Sequence, residues 1–172
     1  RSATGSGGSL RIVSDTSVAV ESGGGDDGAI DVSGATAGTI TISAARDLSL
    51  QGRLLASGLV SDGDGGMVDV AAASVAMGPR AVIDATSGRL GAGGQITVSA
   101  AAFLTTDGRL ASTGGSGAGL PGVMLTAGGV VRVLGVIDAS GILDPVEGDG
   151  GSVSIHSTGG DVILAGSIDT AA

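Results

Sequence analysis

The sequence predicts an all-β fold, a right-handed parallel β-helix (β-solenoid) of about six coils, with ~28 residues and three short strands per coil. Three observations predict it. Glycines that each open an alternating aliphatic run recur at Gly8, Gly38, Gly66, Gly94, Gly122 and Gly151, at gaps of 30, 28, 28, 28 and 29 residues. A near-constant period in this range marks stacked repeats. Within each run the apolar residues are two apart, the period of a half-buried strand. The composition, rich in Gly, Ser, Thr and Val and without an i, i+3, i+4 pattern, disfavours helix.

Each coil reads as three runs. The first follows the head glycine: Leu10/Ile12, Ile40/Ile42, Val68/Val70, Ile96/Val98, Val123/Leu125 and Val153/Ile155. In the fifth coil a strict 28-residue count would turn Met124 and Thr126 inward instead, but burying the Thr126 hydroxyl without a partner is costly. The second run is Val18/Val20, Leu48/Leu50, Val75/Met77, Phe103/Thr105, Val131/Val133 and Val162/Leu164, which places Phe103, the only aromatic residue, in the core. The third is Ile30/Val32, Leu54/Ala56, Ile83/Ala85, Leu110/Ser112, Ile137/Ala139 and Ile168/Thr170. At the corners, glycine is expected to supply positive φ. Loops of unequal length after the third run (Gly34 to Gly38, Gly58 to Gly66, Gly88 to Gly94, Gly114 to Gly122, Gly141 to Gly151) predict one ragged, loop-bearing edge.

Residues 1–172 read as one solenoid domain, a fragment or stacking unit of a longer array, because neither end resembles a polar capping segment. Open strand edges at such ends favour self-association. With 17 acidic and 8 basic residues the chain carries −9, all eight cations are Arg, and no basic stripe exists for nucleic acid. There is no Cys, hence no disulfide framework or thiolate site. No apolar stretch reaches the ~18–20 residues of a membrane span.

The stretches Gly65-Gly-Met-Val-Asp-Val-Ala-Ala72 and Val131-Arg-Val-Leu-Gly-Val-Ile-Asp-Ala-Ser-Gly141 resemble the repeats of large bacterial surface exoproteins of the filamentous-haemagglutinin type. The resemblance implies a right-handed parallel β-helix on a secreted, extracellular or cell-surface protein. It also implies an adhesive or structural role, with matrix or cell-surface glycans and proteins as partners.

The acidic residues are the candidate ligands. Asp31, Asp84, Asp138 and Asp169 each follow an inward Ile and should share one outer face, with Asp138 and Asp169 as stacked neighbours. They are read either as a weak divalent site or as Asx-turns that bond the following corner amides. Acidic loops carry Asp26-Asp27, Asp62-Gly-Asp64 and Asp144…Glu147-Gly-Asp149. Calcium is the cation such loops admit, with Asp62, Asp64, Asp138, Asp149 and Asp169 as its candidate ligands. No nonapeptide calcium repeat occurs, however, and the expectation is no bound cofactor. His156 is expected on the surface, without a second His or Cys to share a metal. Arg132 is expected near outward Asp residues, as one half of a surface ion pair. Outward Thr39, Thr41, Thr97 and Thr126 are too sparse for an ice-binding Thr ladder.

The function expected from these residues is non-catalytic: an extracellular structural or adhesive β-helix, assembling end to end into a filament or sheath. Two alternatives stay open. One is a carbohydrate-active β-helix enzyme, a polysaccharide lyase or hydrolase, which needs convergent carboxylates or Arg on one groove. The other is a calcium-binding solenoid module.

Overall fold

The computed structural model describes residues 4–22, 28–115, 122–141 and 150–171. All its regular elements are strands, and all pair in parallel. The first coil holds β1 (Ser9–Ser14), β2 (Val18–Val20) and β3 (Ala29–Asp31); the second holds β4 (Thr39–Ala44), β5 (Asp47–Leu50) and β6 (Arg53–Leu55). In the third and fourth coils the first two runs fuse into single long strands. These coils hold β7 (Met67–Met77) with β8 (Val82–Asp84), and β9 (Gln95–Thr106) with β10 (Arg109–Ala111). The fifth holds β11 (Gly122–Ala127), β12 (Val131–Val133) and β13 (Val136–Asp138); the sixth holds β14 (Ser152–Ser157), β15 (Val162–Leu164) and β16 (Ser167–Asp169). Sequential coils are spatial neighbours, in the orders β1-β4-β7-β9-β11-β14 and β3-β6-β8-β10-β13-β16. The result is the β-solenoid expected from the period.

Parallel in-register pairing stacks equivalent side chains at about 4.8 Å. The core therefore consists of columns. One runs Ile40, Val68, Ile96, Val123, a second Ile42, Val70, Val98, Leu125, and a third Leu54, Ile83, Leu110, Ile137, each residue at most 2% exposed. Burying each such side chain contributes about 1.5–3 kcal/mol. In the fifth coil Val123 and Leu125 point inward and Met124 outward, as the hydroxyl argument required.

The fourth coil departs from expectation. Phe103 is 59% exposed, whereas Leu104 and Thr106 are buried. Leu104 stacks on Val75 and under Val131, and Phe103 pairs with Ser74 on the outer face. The cause is a β-bulge at the first corner: Ala72 pairs with Ala100 but Ser74 with Phe103, so two residues of β9 oppose Ala73 alone. A one-residue slip exchanges the two faces of a strand. Thr106 consequently enters the core between Met77 and Val133, and its Oγ1 has no hydrogen-bond partner among the described residues.

The head glycines also differ from expectation in their physical reason. Gly38, Gly66 and Gly94 do not have φ in the left-handed region. What excludes a side chain is proximity. A Cβ on any of the three would collide with the carbonyl oxygen of the head glycine one coil earlier. Those same carbonyls accept rung-to-rung bonds from Thr39, Met67 and Gln95 N–H, at 3.1, 3.2 and 2.9 Å.

Where it is described, the loop-bearing corner has loops of unequal length that hydrogen bonds tie from coil to coil. The loop after Gly58 joins the next coil through Gly58 N–H to Thr86 O at 2.8 Å and Gly65 N–H to Ala92 O at 2.9 Å. Gly88 N–H closes back on Gly63 O at 2.7 Å. Buried Ser87 places its hydroxyl 2.8 Å from both Gly88 O and Gly91 O, and accepts from Gly115 N–H at 3.3 Å. Residues 116–121 and 142–149 lie outside the described set.

Two stability measurements check this packing. Thr106→Val should stabilise by about 1 kcal/mol in denaturant unfolding, because it removes an unpaired buried hydroxyl without changing shape. Thr105→Val, on the outer face, should leave stability nearly unchanged; the opposite ranking would restore the Phe103-inward register. Gly66→Ala should destabilise by about 1–3 kcal/mol, as forced overpacking does.

Candidate functional site

The outer position of the third wall reads Asp31, Leu55, Asp84, Ala111, Asp138, Asp169 from coil to coil. Each Asp sits where the strand ends in a small-residue corner. Its Oδ1 accepts the amide two residues on: Ser33 N–H at 2.9 Å, Thr86 N–H at 3.0 Å, Ser140 N–H at 3.3 Å and Ala171 N–H at 3.0 Å. All four are therefore Asx-turns. Leu55 and Ala111, placed outward by alternation, are nonetheless buried.

Two further bonds tie this column across coils. Ser57 Oγ donates to Asp84 Oδ1 at 3.0 Å, and Arg109 Nη2 donates to Asp138 Oδ2 at 2.7 Å. The Ser140 hydroxyl adds a bond to Asp138 Oδ1 at 2.7 Å. Asp138 and Asp169 are register partners, so two carboxylates do stand side by side. Their Oδ1 atoms face their own turn amides, which offsets part of the mutual repulsion. Partial burial pushes the Asp138 carboxyl up. The bonds from the Ser140 hydroxyl, Arg109 and the Ser140 amide, with the Arg109 charge, outweigh that and hold it below the ordinary aspartate value.

The corner carboxylates behave differently. Asp64 Oδ1 accepts Ala92 N–H at 2.8 Å, and its carbonyl accepts Ala37 N–H at 3.1 Å, so Asp64 joins three successive loops. Asp62 is exposed on the same corner. Asp149 lies outside the described residues, as do Asp26, Asp27, Asp144 and Glu147. Among the described residues no group of three or more His, Asp or Glu side chains is placed to hold a metal ion. His156 lies on the exposed face of β14, paired with Thr126.

A shallow groove of about 460 Å³ follows the head-glycine corner past Gly38, Gly66, Gly94 and Gly122, and no ionisable side chain lines it. Arg132 has no ion-pair or hydrogen-bond partner among the described residues, so the expected surface pair is not formed there. Sequence reasoning also missed the setting of Phe103. With Thr105, Val130 and Arg132 it lines an outer cavity of about 230 Å³. The missing signal was the bulge, which the constant glycine spacing conceals.

Compared with known proteins, no family model matches the chain, and no curated protein or solved structure matches it.

The lowered Asp138 value has a definite consequence. A carboxyl depressed by folding contributes stability above its unfolded pKa, and that contribution is lost as pH falls through the folded one. Acid unfolding of the native chain should therefore show a loss below about pH 4 that Asp138→Asn lacks. Melting curves between pH 2 and 7 check this; parallel profiles for the two proteins would remove Asp138 from the account.

Proposed function

We propose that the chain is a non-catalytic structural or adhesive β-solenoid of an extracellular or cell-surface bacterial protein. The observation that carries this reading is how the acidic side chains are used. Asp31, Asp84, Asp138 and Asp169 close turns, and Asp64 bonds successive loops. A general acid–base pair needs carboxylates free to face a substrate. Here the carboxylates reinforce the rungs, and the head-glycine groove has no ionisable lining. Chemistry spent on stiffness and a continuous, mainly aliphatic core fit a stalk that displays its outer faces. The resemblance of Val131–Gly141 to surface-exoprotein repeats points the same way.

Self-association along the solenoid axis belongs to this reading. Val162, Leu164 and Ile168 of the sixth coil continue the core columns of Val131, Val133 and Ile137, and parallel stacking of this kind can pass from one copy to the next.

Three measurements test the reading. Antibody labelling of intact native cells should give a surface signal; exclusively internal signal overturns the localisation. Purified protein should sediment as growing oligomers with concentration and form rods in negative stain; a monomer at millimolar concentration overturns axial assembly. Incubation with uronate-containing polysaccharides should release no new ends, and an Asp138-dependent release would establish the enzymatic alternative instead.

A further inference from the structure

We propose that the outer face of coils four to six carries a small binding site for an apolar carboxylate, with the ligand's apolar body on Phe103 and its carboxylate on Arg132. The inference is independent of the proposed function. It begins with the bulge at Ala73, which turns Phe103 outward and leaves it 59% exposed. The ring lies against the corner at Gly129, where a Cβ would crowd its edge. Phe103, Thr105, Val130 and Arg132 then line a cavity of about 230 Å³. A cavity of roughly 150 Å³ takes a benzene ring, so the space here suits one ring or branched side chain with a carboxylate attached.

The surroundings select the chemistry. Arg132 is flanked in register by Thr105 and Ile163, and Leu134 and Ile163 are 41% and 38% exposed. A guanidinium beside an exposed ring and apolar side chains pairs with a carboxylate in a bidentate, charge-assisted manner. Arg109, one coil earlier, already has Asp138 at 2.7 Å, whereas Arg132 has no partner among the described residues. Asp107 and Asp161, two residues from Thr105 and Ile163 respectively, are exposed, and their charge disfavours a polyanion more than a single carboxylate attached to an apolar body. On the same face the first two coils present Ser17, Ala19, Asp47 and Ser49, so the apolar character is local to the last coils.

The ring of Phe103 is the only one of its kind in the chain, and selective ¹³C-Phe labelling gives one reporter. Titration with 3-phenylpropionate should shift its signals saturably, with Kd on the order of millimolar for a ligand of this size. Loss of the charged bond, in Arg132→Gln or with 3-phenylpropan-1-ol on the unmodified protein, should weaken binding about tenfold. N-acetyl-Phe-Glu-amide separates the two sources of this chemistry. Tighter binding of the peptide assigns the site to an acidic side chain of a protein partner, and tighter binding of the free acid to a small organic acid. Failure of both ligands to saturate by about ten times the expected Kd, or equal affinity for the alcohol, or undiminished affinity of a folded Arg132→Gln, overturns the proposal.

Discussion

Everything in this molecule follows from backbones that must approach to hydrogen-bonding distance coil after coil. Parallel rungs repeat at about 4.8 Å, which leaves no room for variation in the axial direction. A residue's neighbours are therefore its counterparts one coil before and after, and each position becomes a column with a single requirement. Inward columns favour aliphatic residues of similar reach, as in Ile40, Val68, Ile96 and Val123. At Gly38, Gly66 and Gly94 only a residue without Cβ fits, since each preceding head carbonyl is both a bond acceptor and the wall against which the next residue rests. The period is thus the imprint of steric exclusion between backbones, and glycine's conformational range has little part in it at these three positions.

The same constraint explains how much could be read beforehand. Alternation with period two assigns inside and outside within a strand, and stacking extends one correct assignment to its neighbours. For this reason the first and third walls, including the ambiguous Val123/Leu125, were legible. The second wall failed at one coil because two irregularities of opposite sign are hidden behind a constant glycine gap. Between the first and second walls the third coil is one residue shorter, Ala72 to Val75 against Ala100 to Leu104. Between the second and third it is two longer, Met77 to Ile83 against Thr106 to Leu110. The glycine gap still stays at 28, because Gly122 pairs with Gln95 and so lies one position past the register partner of Gly94. The run Phe103-Leu-Thr-Thr106 offers equal alternation in either phase, so no local pattern separates them.

The acidic column was half legible in the same sense. Asp followed two residues on by Ser, Thr or Ala at a strand end is a local motif, and the Asx-turn can be read from sequence alone. Bonds between coils cannot, because they depend on register. Arg109 reaches Asp138 and Ser57 reaches Asp84 only after the third wall is aligned. Leu55 and Ala111 carry a related lesson. Alternation gives the direction of a side chain, but burial also depends on what lies over it, and both are covered on the outer side.

A repeat enforces sameness, so information particular to this chain must enter where the repeat breaks. The bulge opposite Ala73 is such a break, and it has two consequences at once. It places the Thr106 hydroxyl in the core without a partner, a cost of about 1–3 kcal/mol. It also turns the Phe103 ring to the surface and buries Leu104 in its place, so most of the apolar burial is kept. The unpaired hydroxyl opposes stability, and the in-register ladders on either side of the fourth coil hold it in place. Those ladders make a locally unfavourable arrangement rigid. They fix the backbone beneath the exposed ring and the unpaired guanidinium, so a ligand has only the side chains to order. The stiffness of the solenoid and the chemistry of its one aromatic residue are in this way parts of the same physical design.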